Sequence, residues 1–199
     1  NPLTAGLGQN SSNLFPDPLI GLPVPTTANG VVNTFLGSPA LTSGGASGVI
    51  APNTYDAGTK TLTLYPGIYD SISVSGGTVY FEPGVFVLRG NSQNTLKITG
   101  NGTSAFTMPG GAMFYNTGNN YNATTGWPDT LDAENLPPAD ETPAPQFGGI
   151  TINAEFVDLK GLDDATGPFN RMLFYQRRRN EQGADIQGNA GVNFKLDGT

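Results

Sequence analysis

The chain has 199 residues and a net charge of −7, from 16 acidic and 9 basic residues. Because nucleic-acid binding depends on lysine and arginine that neutralise phosphates, this balance argues against a nucleic-acid partner. The chain contains no cysteine and no histidine, which excludes disulfides, thiolate nucleophiles, zinc sites of ordinary composition and imidazole triads within these residues. No apolar run reaches the length of a transmembrane helix, so we expect no membrane span in this segment.

The first 50 residues are predicted to form a lead-in and a cap. Proline recurs at Pro16, Pro18, Pro23 and Pro25. Proline removes a backbone donor and favours extended geometry in the residue before it. We therefore expect 17–25 to lie as an extended or loosely helical segment against one end of the body, followed by one irregular coil in 31–50.

Residues 51–116 contain a repeated unit of a short alternating strand, a Pro-Gly corner and a second apolar strand. Its two copies, offset by 17 residues, are Leu62-Thr63-Leu64-Tyr65-Pro66-Gly67-Ile68-Tyr69 and Val79-Tyr80-Phe81-Glu82-Pro83-Gly84-Val85-Phe86. Such a unit is too small to bury its own apolar face, so its copies must stack on one another. A third, degraded copy surrounds Pro109-Gly110, and the continuous apolar run 85–88 is typical of a strand covered on both faces.

The pattern predicts an all-β chain that folds as one right-handed parallel β-solenoid (β-helix) with irregular coils. The handedness follows from the general preference of parallel crossover connections. Regular coils are predicted in 51–116, one long inserted loop in 117–147, and further coils in 148–199. The chain stops in what reads as an unfinished strand, so we expect a fragment of a longer protein, with open strand edges to which another copy can dock.

The insertion 117–147 holds two candidate sites. Hard cations require several carboxylate or carbonyl oxygens, so Asp129, Asp132 and Glu134 are a candidate calcium site, the alternative being a solvated acidic loop. The only tryptophan, Trp127, forms a candidate sugar-stacking platform with Tyr121, because an aromatic face packs against the C–H groups of a pyranose. Tyr115 and Tyr175 are further candidates for this platform, although aromatic residues in strands more often belong to the core.

Charged residues of the later coils are candidate catalytic residues and indicate an alternative, enzymatic function. Asp163 and Asp164 provide the two carboxylates that a glycosidase needs, but neighbours on a strand point to opposite faces. Arg177 and Arg178, with Arg179, are candidates to hold a uronate or phosphate through their guanidinium groups, or to serve a lyase as a base beside calcium. Alternatively these arginines neutralise the acidic loop or are solvated.

Several short motifs occur in a characteristic order. They are Asp17-Pro18-Leu19-Ile20-Gly21-Leu22-Pro23, the Tyr-Pro-Gly and Glu-Pro-Gly corners, Met172-Leu173-Phe174-Tyr175-Gln176 before the arginines, and Leu196-Asp197-Gly198-Thr199. Together they resemble the extracytoplasmic region of bacterial TadE/TadG-like proteins, which accompany the tight-adherence (Flp) pilus machinery. The resemblance implies a β-helical, secreted or envelope-anchored structural module and supplies no catalytic residues.

These observations favour a noncatalytic structural or adhesive module of a secreted or cell-surface bacterial protein, pilus-associated or self-assembling. We expect it to need no cofactor unless the acidic insertion binds calcium. Its expected partners are other copies of itself, cell-surface components or polysaccharide. The alternatives are a β-helical polysaccharide lyase or hydrolase, and a carbohydrate-binding module.

Overall fold

The computed structural model describes residues 21–90, 94–99, 105–129, 147–153, 156–177, 184–186 and 193–197. The regular elements in these residues are all β-strands, so the prediction of an all-β chain is confirmed. The strands are β1 (Ala40–Thr42), β2 (Gly45–Ser47), β3 (Thr54–Asp56), β4 (Thr61–Leu64), β5 (Gly67–Tyr69), β6 (Ile72–Val74), β7 (Thr78–Phe81), β8 (Gly84–Leu88), β9 (Asn94–Thr99), β10 (Ala105–Thr107), β11 (Ala112–Asn116), β12 (Gly149–Asn153), β13 (Phe156–Lys160), β14 (Phe174–Gln176), β15 (Ala184–Ile186) and β16 (Asn193–Asp197).

The strands form three sheets that the chain visits in turn from β4 onward. The first sheet has the order β15-β12-β9-β6-β1-β2, the second β16-β13-β10-β7-β4-β3, and the third β14-β11-β8-β5. From β4 to β13, each strand pairs in parallel with the strand three positions later. Two bridges, from Val31 to Val85 and from Phe35 to Ile68, place 31–35 beside the third sheet.

The predicted single parallel β-solenoid is wrong, because two of the three sheets are mixed. Strand β1 pairs with β2 and β3 pairs with β4 in antiparallel hairpins at one edge of the first and second sheets. Local side chains favour both turns: the Thr42 hydroxyl accepts a hydrogen bond from Gly44 N at 3.2 Å, and the Asp56 carboxylate accepts one from Gly58 N at 2.8 Å. A short turn joins antiparallel neighbours directly, whereas a parallel pair needs a long crossover.

The repeated Pro-Gly corners lie directly on one another. A Cβ atom added to Gly84 would lie 2.4 Å from Cγ of Pro66, and one added to Gly110 would lie 2.2 Å from Cγ of Pro83. Each proline ring therefore occupies the space that a side chain on the next corner would need. This contact gives a physical reason why glycine follows proline at these corners, and it supports the third, degraded copy at 109–110.

The pairing register departs from the 17-residue offset of the sequence repeat. Leu62 pairs with Val79, 17 residues later, but Ile68 pairs with Val87, 19 residues later. Because the two offsets differ by an even number, the same side chains still face the core. Sequence similarity thus identifies the stacked units correctly, while the turn between the strands shifts their register.

The three sheets enclose one apolar core. In the third sheet, Tyr69, Phe86, Phe114 and Phe174 contact one another in order along the stack, with ring centroids 5.9, 5.4 and 5.7 Å apart. Aromatic rings at such separations add favourable edge and offset contacts to the burial of their area. This row continues through four consecutive strands and stabilises their stacking.

The outer face of the third sheet is buried as well. Alternate residues of β8 belong to two different apolar clusters, Phe86 and Leu88 to the inner one and Val85 and Val87 to the outer one. The outer cluster also contains side chains from the loops that cover this face: Leu22, Val24, Val31, Tyr121, Ala123, Leu162, Phe169 and Met172. The prediction that 85–88 is covered on both faces is therefore confirmed, and the described part of the lead-in contributes to the cover.

Candidate functional site

The described part of the insertion, 117–129, is a loop of tight turns over the outer face of the third sheet. Asn122 N donates to the carbonyl of Trp127 at 2.7 Å, Gly126 N donates to the carbonyl of Asn122 at 2.8 Å, and Asp129 N donates to the carbonyl of Gly126 at 2.8 Å. These bonds close the loop on itself. The backbone that carries Trp127 is consequently held in one conformation.

Side chains within the loop reinforce the turns. Oδ1 of Asn122 accepts hydrogen bonds from the backbone of Thr124 at 2.9 Å and of Thr125 at 3.1 Å, which is the turn that asparagine favours. Oγ1 of Thr125 accepts a further bond from Trp127 N at 3.2 Å. Gly126 has φ of +74°, a conformation in which glycine carries no steric penalty.

The lead-in holds the loop from one side. Thr27 N donates to the carbonyl of Ala123 at 2.8 Å, and the hydroxyl of Tyr121 donates to the carbonyl of Pro25. A Cβ atom on Gly126 would lie 3.1 Å from the side chain of Thr26, so the two segments are in close contact. The loop is thus fixed to a part of the chain that is almost 100 residues away in sequence.

A buried carboxylate holds the loop from below. Oδ1 of Asp129 lies 2.7 Å from Nε of Arg177, and these side chains are only 1% and 0% exposed. Oδ2 of Asp129 accepts hydrogen bonds from the hydroxyls of Tyr115 and Thr117. The negative charge is therefore compensated by one guanidinium and two hydroxyl donors, as a buried charge requires. Burial, followed by the charge of Asp129, raises the pKa of Tyr115 well above its ordinary value.

Arg177 connects the loop to the end of β14. Its Nη1 lies 3.5 Å from Oδ1 of Asn120, and its guanidinium lies over the ring of Phe147 at 5.3 Å from the centroid. Its backbone N donates to the carbonyl of Asn116 at 2.9 Å. One arginine therefore contacts residues from β11, the loop and the segment before β12.

The two ends of the insertion are joined by a second buried polar group. Nδ2 of Asn116, the last residue of β11, donates to the carbonyl of Gly148 at 2.9 Å. The hydroxyl of Thr95 lies 2.9 Å from Oδ1 of Asn116 and 3.1 Å from the carbonyl of Gly149. Hydrogen bonds therefore connect the end of β11, before the predicted insertion, to the start of β12, after it.

Trp127 differs from the other aromatic residues of this region because its side chain is 49% exposed. The three tyrosines considered with it, Tyr115, Tyr121 and Tyr175, are all buried beneath the loop. Tyr115 contacts both of the others, with ring centroids 5.6 and 5.1 Å apart. The structure therefore separates the candidate platform into a buried tyrosine cluster and one exposed tryptophan.

The candidate calcium ligands are only partly described. Asp129 is paired with Arg177, while Asp132 and Glu134 lie outside the described residues. The described part of the chain contains no group of three or more acidic, histidine or cysteine side chains that could hold a metal ion. A calcium site that uses Asp132 and Glu134 stays a prediction.

The paired carboxylates Asp163 and Asp164 are exposed and border a cavity of about 240 Å³ beside Pro83 and Phe169. Asp164 stabilises its own turn: Oδ1 accepts hydrogen bonds from Thr166 Oγ1 at 3.0 Å, from Thr166 N at 3.2 Å and from Gly167 N at 3.0 Å. These bonds, led by the Thr166 hydroxyl, lower the pKa of Asp164 below its ordinary value. Oδ2 of Asp163 lies 3.4 Å from Nζ of Lys160.

The arginine candidates have different outcomes. Arg177 neutralises Asp129 of the acidic insertion, which was one of the two interpretations of its charge, whereas Arg178 lies outside the described residues. The sequence pattern predicted no role for Asn116 or Thr117. The one signal that points to Asn116 is its position, as a polar residue that directly follows the apolar run of β11.

The described residues include no helix long and apolar enough to cross a membrane. Comparisons of the chain with known protein families, with curated proteins and with solved structures found no match.

Proposed function

We propose that this chain is a noncatalytic structural or adhesive module of a secreted or cell-surface bacterial protein. The observation that carries the proposal is the use of Asp129 and Arg177 to fix the insertion onto the third sheet. In an enzyme such charged groups would face a substrate, whereas here both are buried and fix a loop. The loop and the sheet beneath it consequently form a rigid surface.

The polysaccharide lyase or hydrolase receives less support from the geometry. An arginine that acts as a base must reach its substrate and lose its proton, but Arg177 is buried against a carboxylate that favours its charged form. A general acid in glycoside hydrolysis needs a raised pKa. Asp164 has a lowered pKa, so it is poorly suited to that role.

Rigidity is the property that a structural or adhesive module requires. The aromatic row in the third sheet stabilises the stacking of four strands, and loops cover the outer face of the same sheet. Association with a pilus, assembly with other copies and calcium binding are extensions of this proposal. They are supported by the resemblance to TadE/TadG-like proteins and by the acidic residues of the insertion.

Turnover assays test the noncatalytic part. The chain is incubated with neutral and anionic polysaccharides, with and without calcium, and new reducing ends and unsaturated uronates are measured. We expect no product with any substrate. Cleavage that disappears in Asp163→Ala or Arg178→Ala would contradict the proposal and would establish the enzymatic alternative.

Antibody labelling tests the location. An antibody raised against the chain is applied to intact and to lysed cells of the bacterium that produces it, and to its culture medium. We expect labelling of intact cells or recovery from the medium. A signal that appears only after lysis would contradict a secreted or cell-surface role.

A further inference from the structure

Trp127 is held at the surface by a loop that is already ordered. Its backbone N donates to Oγ1 of Thr125 and its carbonyl accepts from Asn122 N, while Asp129, two residues later, is buried in the ion pair with Arg177. A preformed binding residue loses little conformational entropy when a ligand arrives. The loop thus combines a fixed backbone with a large exposed aromatic ring.

The other exposed residues of this loop are polar and uncharged. Asp129 is the only charged residue in 117–129, and it is buried. The exposed residues that accompany Trp127 are amides and hydroxyls, including Asn122, Thr124 and Thr125. Such groups can exchange hydrogen bonds with hydroxyls of a ligand without favouring an anion or a cation.

The same loop does not form an apolar patch. Of the large apolar side chains that are exposed in the described residues, Trp127 is the only one that belongs to 117–129. Protein partners and membranes are usually recognised through contiguous apolar area. One exposed aromatic ring in a loop whose other exposed residues are neutral and polar is better matched to a ligand that has both C–H and O–H faces.

From this combination we infer that the loop 117–129 binds a neutral saccharide, with Trp127 stacked on a pyranose ring. The electron-rich face of the indole attracts the polarised C–H groups of the sugar, and the neighbouring amides and hydroxyls bond to its O–H groups. Polyanionic glycans are disfavoured because the chain carries a net charge of −7 and the loop exposes no cation. The inference rests on the proposed adhesive role and names its ligand class.

Intrinsic fluorescence tests the inference directly, because Trp127 is the only tryptophan of the chain. The whole chain is titrated with cello-, chito- and manno-oligosaccharides while emission and quenching by iodide are measured. We expect at least one series to shift the emission to shorter wavelength and to protect Trp127 from iodide. If none of the three series changes either signal, the inference is overturned.

Variants distinguish stacking on Trp127 from nonspecific binding. On a glycan array, Trp127→Ala should weaken binding at least tenfold and Trp127→Phe less, while Tyr80→Ala, at a 40% exposed aromatic on β7, should leave binding unchanged. Equal binding by wild type and Trp127→Ala overturns the inference, as does equal loss in Tyr80→Ala. All three variants alter exposed side chains, and an unchanged Tm will show that they are folded.

Other ligand classes are outcomes of the same experiment. Protection of Trp127 by polygalacturonate but not by neutral sugars, or by phosphatidylcholine vesicles, would overturn the assignment to a neutral saccharide. If no neutral sugar binds, the turnover and labelling results are unaffected. Saccharide binding is then contradicted, while the proposed structural role is not. Turnover of a polysaccharide would instead remove the proposed function itself.

Discussion

The buried ion pair between Asp129 and Arg177 leads to the most specific prediction about stability. Asp129→Asn keeps the shape of the side chain but removes its charge, so the buried guanidinium of Arg177 loses its ion pair with this carboxylate. Removing one partner of a buried pair costs about 3–5 kcal/mol. The hydroxyls of Tyr115 and Thr117 also lose a charged acceptor. We expect the free energy of unfolding to fall by about 4 kcal/mol.

An exposed pair in the same chain provides the matched control. Asp163 pairs with Lys160 at 3.4 Å, but its side chain is 66% exposed. Exposed pairs contribute about 0–1 kcal/mol, so Asp163→Asn should change the free energy of unfolding by less than about 1 kcal/mol. Both variants remove one carboxylate charge, so their difference reports the effect of burial and not that of net charge.

Urea unfolding measures these free energies. Emission from Trp127 reports on the loop, circular dichroism reports on the strands, and coincident transitions would justify a two-state treatment. A double variant, Asp129→Leu with Arg177→Met, should be more stable than Asp129→Asn alone because it removes both charges of the buried pair. The reasoning is refuted if Asp129→Asn behaves like Asp163→Asn, or if the double variant is the least stable of the three.

Three further predictions concern the core, a turn and the response to alkali. Phe86→Ala removes the second ring of the aromatic row and should lower the free energy of unfolding by about 3–5 kcal/mol, whereas an unchanged urea midpoint would show that the row is not needed. Gly111→Ala places a Cβ atom 2.0 Å from the carbonyl O of Gly161 at φ of +73° and should lower the free energy of unfolding by at least about 1–3 kcal/mol. Gly21→Ala places its Cβ atom more than 4 Å from every contacting atom of the described residues and should change that free energy by less than about 0.5 kcal/mol. Burial raises the pKa of Tyr69, Tyr115 and Tyr121 above the ordinary value of 10. The stability that comes from keeping these phenols neutral is therefore fully present below pH 10, and it is lost as the pH rises from 10 towards their pKa values in the folded chain. Phenolate absorbance should therefore show fewer of the seven tyrosines ionising near pH 10 in the native chain than in urea, and equal numbers would contradict the burial of Tyr69, Tyr115 and Tyr121.

Local sequence patterns were sufficient for several elements. The Pro-Gly corners identified units that do lie on one another, because the contact between Pro66 and Gly84 depends on residue types that are visible in the sequence. The apolar run 85–88 indicated a strand covered on both faces, since alternation disappears when both faces are buried. The change in composition after residue 116 predicts the insertion, of which the structure describes 117–129.

The mixed sheets could not be predicted from the same patterns. Residues 31–50 resemble an irregular coil because Gly and Ser dominate and apolar residues are scattered. The hairpin of β1 and β2 in this segment is supported by one turn contact, that between Thr42 and Gly44 N. The second hairpin, formed by β3 and β4, likewise depends on the contact between Asp56 and Gly58 N, and the other edge of β4 pairs with β7. Strand direction at a sheet edge is decided by which neighbour is available, and this information is not local.

The same distinction applies to the candidate site. The sequence alone indicated the all-strand content that the described residues show, and it determined that the chain lacks the residues for thiol or imidazole chemistry and that its only tryptophan lies in a polar segment. Only the tertiary structure decided that Tyr121 is buried, that Trp127 is exposed and that Asp129 pairs with Arg177, 48 residues later. Composition and periodicity indicate the local conformation that a short stretch of residues favours. Burial and charge pairing depend instead on which distant segments fold over the same face of a sheet.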